Sequence, residues 1–151
     1  MKRLLLISTM LIATATAPEA RAQSVHGCFE RALPAVYVRR HGMQSLQRIQ
    51  LQTLRSLETA QAMAHVRIWF SGDSRAWEAS GPCKNDLSSM VCVLDGDGGR
   101  IAITQESNGA RLKAQGALTV GAGTGRATVD DPVLKNLPLP KAANPQCKTA
   151  S

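Results

Sequence analysis

Apolar and polar residues alternate in short runs from residue 64 onward. In "HVRIWF" the apolar Val66, Ile68 and Phe70 are separated by single residues, the period of two that a strand with one buried face requires. Gly72 and Asp73 then provide a turn, and "RAWEAS" runs on as a second alternating stretch. The pattern predicts a β-hairpin.

Further strand-like runs follow this hairpin. "SSMVCVLD" and "RIAITQES" flank a glycine-rich turn, and Asn108 and Gly109 introduce "ARLKAQGALTVG". Residues 121–147 are rich in glycine and proline, which predicts an edge strand or an irregular tail. Turns that recur every 8 to 12 residues, roughly, predict a mainly β, single-domain antiparallel meander, closed as a small barrel or folded as a sandwich.

The segment of residues 46–63 fits two patterns. Leu46 and Ile49 begin a series of apolar residues at roughly helical spacing, whereas Ile49 and Leu51 alternate with glutamines as in a half-buried strand. Because the flanking segments are β and tertiary context overrides propensity, we expect a strand over residues 47–55. A helix is the alternative.

The first 22 residues have the pattern of a secretory signal peptide. Lys2 and Arg3 precede an apolar run, and a small-residue cleavage site ends at Ala22. The run of about 14 residues is shorter than the roughly 20 that cross a bilayer as a helix. We therefore expect export, to the periplasm or alternatively by full secretion, and a single domain over residues 23–151 that does not span the membrane.

The charge of the chain is moderately positive. The whole chain carries +7, and 15 basic and 10 acidic residues remain once the signal peptide is removed. The basic residues are scattered and only five aromatic residues are present, so nucleic acid is not expected as a partner. Trp69, Phe70 and Trp77 are expected to pack in the core, with a ligand pocket as the alternative.

Four cysteines follow the signal peptide, and in an oxidising compartment they predict two disulfides. Their spacing favours Cys83 with Cys92, across a turn-rich segment, and Cys28 with Cys147, near the two ends. No spacing among them is that of a zinc site or a redox motif. Cys28 would also fasten the N-terminal arm, in which we allow for one short helix, a helical turn before Pro34.

The stretch "CVLDGDGGRIAI" fits either a calcium loop or a tight turn. Asp95 and Asp97 stand where an EF-hand loop places its first two oxygen ligands, but Gly99 and Arg100 occupy positions that require an oxygen ligand and a glycine. The flanks alternate as strands. Since Asp-Gly and Gly-Gly adopt positive φ at low cost, we expect a hairpin turn.

Six polar residues form the candidate surface site. His41 lies beside two arginines on an expected loop, and Asp130 and Asp131 either pair as acidic groups or cap a turn ahead of Pro132, the cap being the expected role. No residue is expected to be catalytic or to bind a cofactor or metal. The six residues are His41, Gln44, Asp95, Asp97, Asp130 and Asp131.

Six short motifs, taken in order along the chain, resemble a family of small exported alphaproteobacterial proteins that has four cysteines and no assigned function. The motifs are "CFER" (28–31), "HGMQ" (41–44), "GPCK" (81–84), "CVLDGDGG" (92–99), "DDPVLKNL" (130–137) and the closing Cys147. The sequence departs from that pattern at Leu134, where an aromatic residue is common. The resemblance implies export, two disulfides and a β-rich domain, and it implies no catalytic residue or ligand.

Three functions fit these observations. We expect a non-catalytic binding or structural module of the envelope, with an envelope protein or a cell-wall component as its partner. The first alternative is an inhibitor of a secreted hydrolase such as a lysozyme or a protease, since small disulfide-bonded β-domains can present a protruding loop. The second is a small envelope hydrolase in which His41 works with a nearby carboxylate.

Overall fold

Short alternating runs joined by turns pair with one another in sequence and build one antiparallel sheet, nearly closed into a barrel. The computed structural model describes residues 25–41, 45–143 and 147. Its elements are β1 (Gly27–Ala32), α1 (Ala35–His41), β2 (Leu46–Arg55), β3 (Ala62–Phe70), β4 (Trp77–Asp86), β5 (Ser89–Leu94), β6 (Gly99–Glu106), β7 (Gly109–Ala114), β8 (Leu118–Ala122), β9 (Gly125–Val129), a 3-10 helix (Pro132–Lys135) and β10 (Leu137–Pro140). The predicted β class is confirmed, and of the two predicted forms, a small barrel or a sandwich, the sheet adopts the nearly closed barrel.

The strand order defines two ends of the barrel. The strands run β1-β2-β3-β4-β5-β6-β7-β10, and the β8–β9 hairpin joins this sheet at β4, where Glu78 pairs with Gly121. The β2–β3, β4–β5 and β6–β7 turns lie together at what we call the hairpin end. The α1 segment, the 70–77 loop and the β5–β6 turn lie at the opposite end, which we call the cleft end, and the Thr119 N–H bonds to Gly98 O there (3.2 Å).

Inward-facing side chains fill the barrel, so its interior is a packed core. Alternate residues of each strand point inward, and most of these are aliphatic and almost fully buried. The largest fully buried side chains are Phe29, Leu46, Ile49, Leu51, Ile68, Met90, Ile101, Ile103, Leu112, Leu118, Leu134 and Leu137.

The predicted strand over residues 47–55 is confirmed as β2. A register shift between Leu46 and Arg48 places Leu46 and Ile49 on the same inner face, although they are three residues apart. A β-bulge of this kind adds one residue to a strand, so the inward positions change parity. The helical spacing of these two residues therefore comes from the bulge.

The barrel closes along a seam between β1 and β10. Pro138 and Pro140 have no N–H to donate, and the Pro138 carbonyl faces β1, where Arg31 Nη1 bonds to it at 3.1 Å. One isolated bridge, Phe29 to Lys141, and one backbone bond, Ala142 N to Cys28 O (3.0 Å), complete the pairing seen along the described part of the seam. On its other side β10 pairs regularly with β7.

Both predicted disulfides are confirmed. The Cys28–Cys147 bond links the start of β1 to the segment that follows β10, beside the seam. The Cys83–Cys92 bond joins directly paired residues of β4 and β5, and both sulfurs lie in the buried core. Two disulfides are consistent with folding in an oxidising compartment.

The helix prediction was wrong in its position, because the helix follows Pro34 and β1 occupies the arm before it. The residue before a proline disfavours helical geometry, whereas proline fits the first turn of a helix. The Pro34 carbonyl accepts bonds from the N–H groups of Tyr37 (2.9 Å) and Val38 (3.2 Å) and so begins the helix. Within the described ranges, no helix is long and apolar enough to cross a membrane. The predicted signal peptide lies outside those ranges.

Polar side chains form a ladder across the outer face of four neighbouring strands. Glu30, Gln50, Arg67 and Glu78 stand opposite one another in register on β1 to β4. Gln50 Nε2 donates to Glu30 (2.9 Å), Arg67 Nη1 donates to Gln50 (3.3 Å), and Arg67 Nε donates to Glu78 (2.6 Å). The ladder therefore fixes the register of β4 at Glu78, the residue that follows the 70–77 loop.

Candidate functional site

The cleft end of the barrel carries a concavity of about 730 Å³. One wall is the 70–77 loop, which joins β3 to β4, and the other is the segment 126–132, formed by β9 and the residues after it. Ser45, the residue before β2, also lines the cleft. A volume of this size is within the range of ligand pockets.

Asp73 organises the loop that forms the first wall. Its carboxylate accepts bonds from the Arg75 backbone N–H (2.9 Å), from Arg75 Nη2 (2.9 Å) and from Trp77 Nε1 (3.0 Å). The bonds from Arg75 hold the pKa of Asp73 well below its usual range, and the bond from Trp77 acts in the same direction. The ionised carboxylate therefore links the middle of the loop to its end at Trp77.

Two half-buried aromatic rings form the apolar part of the cleft. Phe70 and Trp77 meet edge to face, with ring centroids 6.0 Å apart. Both rings also pack against the core, so the same two side chains belong to the core and line the cleft. A methyl group on Gly125 would lie 3.3 Å from the Trp77 ring, which shows how closely the β8–β9 hairpin approaches the indole. Trp69 instead lies on the outer face, with the Arg48 guanidinium 3.7 Å from its ring centroid.

Asp131 fastens the second wall to α1. Its carboxylate caps the 3-10 helix by accepting a bond from the Val133 N–H (2.9 Å), so the predicted cap ahead of Pro132 is confirmed. The Tyr37 hydroxyl donates to the same carboxylate oxygen. Burial raises the pKa of Tyr37 to about 12, and the hydrogen bond to Asp131 and its charge act in the same direction.

The structure brings only part of the predicted surface site together. Asp130 and Asp131 line the cleft, with Asp130 exposed. Asp95 and Asp97 lie apart from it, in the β5–β6 turn at the same end of the barrel. The Arg126 guanidinium of β9 extends toward this turn, 3.8 Å from where a side chain on Gly96 would stand. The side chain of His41 and all of Gln44 lie outside the described residues.

The glycine-rich stretch at Asp95 is a turn, as predicted. Gly96 and Asp97 both have positive φ, at 60° and 65°, which a type I′ turn requires at its two central positions. The Gly98 N–H closes the turn on the Asp95 carbonyl at 3.0 Å. Among the described residues, no group of three or more His, Cys, Asp or Glu lies close enough to hold a metal ion.

Two other concavities are less suited to binding. One of about 630 Å³ lies over the seam, but its two charged residues are already paired, Arg31 with Pro138 O and Glu106 with Arg111. A smaller one, of about 300 Å³, lies on the far side of the 70–77 loop and shares Asp73 with the main cleft. The main cleft combines exposed carboxylate, guanidinium and aromatic surface, so it is the candidate site.

Sequence reasoning missed the contribution of Asp73, Arg75 and Tyr37 to this cleft. A local signal existed for Asp73, because aspartate in a turn bonds to the backbone N–H two residues on, here that of Arg75. No comparable signal existed for Tyr37, which is 94 residues away from Asp131 in the chain.

The chain was compared with protein-family models, with curated proteins and with solved structures. No family model, curated protein or solved structure matches it. The resemblance to exported alphaproteobacterial proteins therefore stays a prediction.

We expect the Asp131→Asn substitution to lower the pKa of Tyr37 from about 12 toward the ordinary value of 10.0, because it removes the negative charge beside the hydroxyl. The chain has a single tyrosine, so ultraviolet difference spectroscopy follows this one group. A raised folded-state pKa means that the stability contributed by the neutral hydroxyl is complete below pH 10 and is lost as the pH rises through about 12.

The neighbouring Asp130→Asn substitution is the matched control, and it should leave the Tyr37 titration unchanged. A Tyr37 pKa that is the same in the wild-type and Asp131→Asn proteins would contradict the assigned contact between the second wall and α1.

Proposed function

We propose that the chain is an exported, non-catalytic binding module of the bacterial envelope, located in the periplasm after removal of residues 1–22. The resemblance to small exported proteins and the signal-peptide pattern support the location. The partner that we propose is an envelope protein, with a cell-wall component as the alternative.

The proposal rests on two carboxylates of the cleft that are already hydrogen-bonded to other groups of the protein. Asp73 is engaged with Arg75 and Trp77, and Asp131 is engaged with Tyr37 and Val133. These contacts fasten two loops to the nearly closed barrel, and the walls that the loops form present aromatic and polar surface. Loops positioned by a rigid scaffold are a common way to build binding surfaces.

Site-specific photo-crosslinking tests the proposal. A photo-reactive amino acid is placed at Pro132, which is exposed in the cleft, or at Lys113, which is exposed on the outer face of β7. Each full-length protein is exported by its own leader and irradiated in envelope extract. We expect a discrete adduct from position 132, identified by mass spectrometry, and none from position 113. Equal labelling at both positions, or no adduct at either, would contradict a binding function of the cleft.

Two exposed leucines at the hairpin end support a second candidate function, inhibition of a secreted hydrolase. Leu57 and Leu87, at the tips of the β2–β3 and β4–β5 turns, are 102% and 89% exposed. Leu87 also has φ of 45°, a conformation that costs a leucine free energy and that asparagine or glycine adopts more readily. Insertion of such a side chain into an apolar pocket of an enzyme would remove its exposed surface from water, which is favourable.

If the tips inhibit an enzyme, the wild-type protein slows at least one lysozyme or protease of a panel at micromolar concentration, and Leu57→Ser with Leu87→Asn weakens this by about tenfold or more. Asparagine suits the positive φ at residue 87, so the variant should fold. The control is Val36→Ser, which removes an exposed apolar side chain of α1, at the cleft end. Unchanged activity across the panel would eliminate this candidate.

A further inference from the structure

One edge of β9 borders the cleft and is open. Among the described residues, β9 pairs with β8 alone, so its second edge has no neighbouring strand. Arg126, Ala127, Thr128 and Val129 of β9 line the cleft. A free strand edge offers unpaired N–H and C=O groups to another extended chain.

The hairpin geometry identifies which backbone groups face that edge. A two-residue loop, residues 123–124, joins β8 to β9, and Gly123 has φ of 59°, as the first central position of a type II′ turn requires. The flanking pair, Ala122 and Gly125, is therefore hydrogen-bonded, and such pairs recur at every second residue. Arg126 and Thr128 lie between them, so their N–H and C=O groups point away from β8.

The cleft beside this edge has room and chemistry for an extended peptide. Its volume of about 730 Å³ adjoins the edge along most of β9, and the Phe70 and Trp77 rings provide an apolar contact for one side chain of a bound strand. The other face of the strand passes the exposed Asp130, whose carboxylate favours a basic side chain there. The neighbouring carboxylates of Asp73 and Asp131 are already engaged.

We propose that the cleft binds an extended peptide segment of a partner protein, which adds to the edge of β9 as a further strand and places an apolar residue at Phe70 and a basic residue at Asp130. This rests on the proposed binding function and specifies its mode of recognition. Main-chain bonds to residues 126 and 128 give the affinity, and the side-chain contacts give the specificity.

A backbone substitution at one position tests strand addition. Thr128→Pro removes the outward N–H without removing a bond to β8, and proline is tolerated in a strand where its nitrogen faces away from the neighbouring strand. Thr128→Val is the matched control, since it keeps the N–H and replaces only the hydroxyl. The probe is the best binder selected from short random peptides displayed on phage, with the full-length protein as the target.

We expect the probe to bind Thr128→Pro about tenfold more weakly than wild type, the loss that follows from one unmade hydrogen bond, and to bind Thr128→Val as well as wild type. Equal binding by the proline variant would overturn strand addition, and so would a selection that yields no peptide competing with the photo-crosslink at position 132.

Hydrogen exchange on the wild-type protein gives a reading that does not depend on how the proline variant folds. The amides of Arg126 and Thr128 should exchange more slowly when the peptide is bound. Unchanged exchange at both amides would overturn the proposal. A partner adduct at position 132 that persists in Thr128→Pro would reject strand addition and leave the binding function in place. The absence of any adduct when residue 128 is still threonine would reject the binding function itself.

Discussion

The packed core and the cleft both require the barrel to close between β1 and β10. An antiparallel barrel normally closes through a ladder of backbone hydrogen bonds, and two prolines of β10 remove donors from that ladder. The Cys28–Cys147 disulfide spans 119 residues and lies beside this seam, together with the Arg31 side chain. The disulfide thus holds the seam together where β10 lacks hydrogen-bond donors.

The cleft end depends on this closure because its two walls come from distant parts of the chain. The 70–77 loop belongs to the β3–β4 connection, and the segment 126–132 leads through the 3-10 helix into β10. A steric constraint also fixes β10 against β7, since a methyl group on Gly109 would stand 2.1 Å from the Leu139 carbonyl oxygen. The Tyr37–Asp131 contact then joins the second wall to α1. The position of the second wall therefore depends on the closure of the seam.

The sequence predicted features that depend on local patterns. Alternation and turn residues predicted the β class, and the spacing of the cysteines predicted both disulfides. The Asp95 turn and the Asp131 cap were also predicted, since both depend on neighbouring residues. The position of the helix was missed because Pro34 ends the preceding segment and begins the helix. The spacing of Leu46 and Ile49 was ambiguous because a one-residue bulge imitates a helical period. The cleft itself was not predictable, because the Tyr37–Asp131 contact joins residues with no local relation.

Native-state hydrogen exchange on the Cys28→Ala/Cys147→Ala protein, compared with Cys83→Ala/Cys92→Ala, tests whether the long-range disulfide keeps the seam closed. We expect its loss to lower the free energy of unfolding by about 4 to 5 kcal/mol, and the amides of β1 and β10 to exchange first, ahead of β3 to β6. Loss of the Cys83–Cys92 bond should leave the order of exchange at the seam unchanged. Exchange in β1 and β10 that is equally slow with and without the Cys28–Cys147 bond would contradict this role of the disulfide.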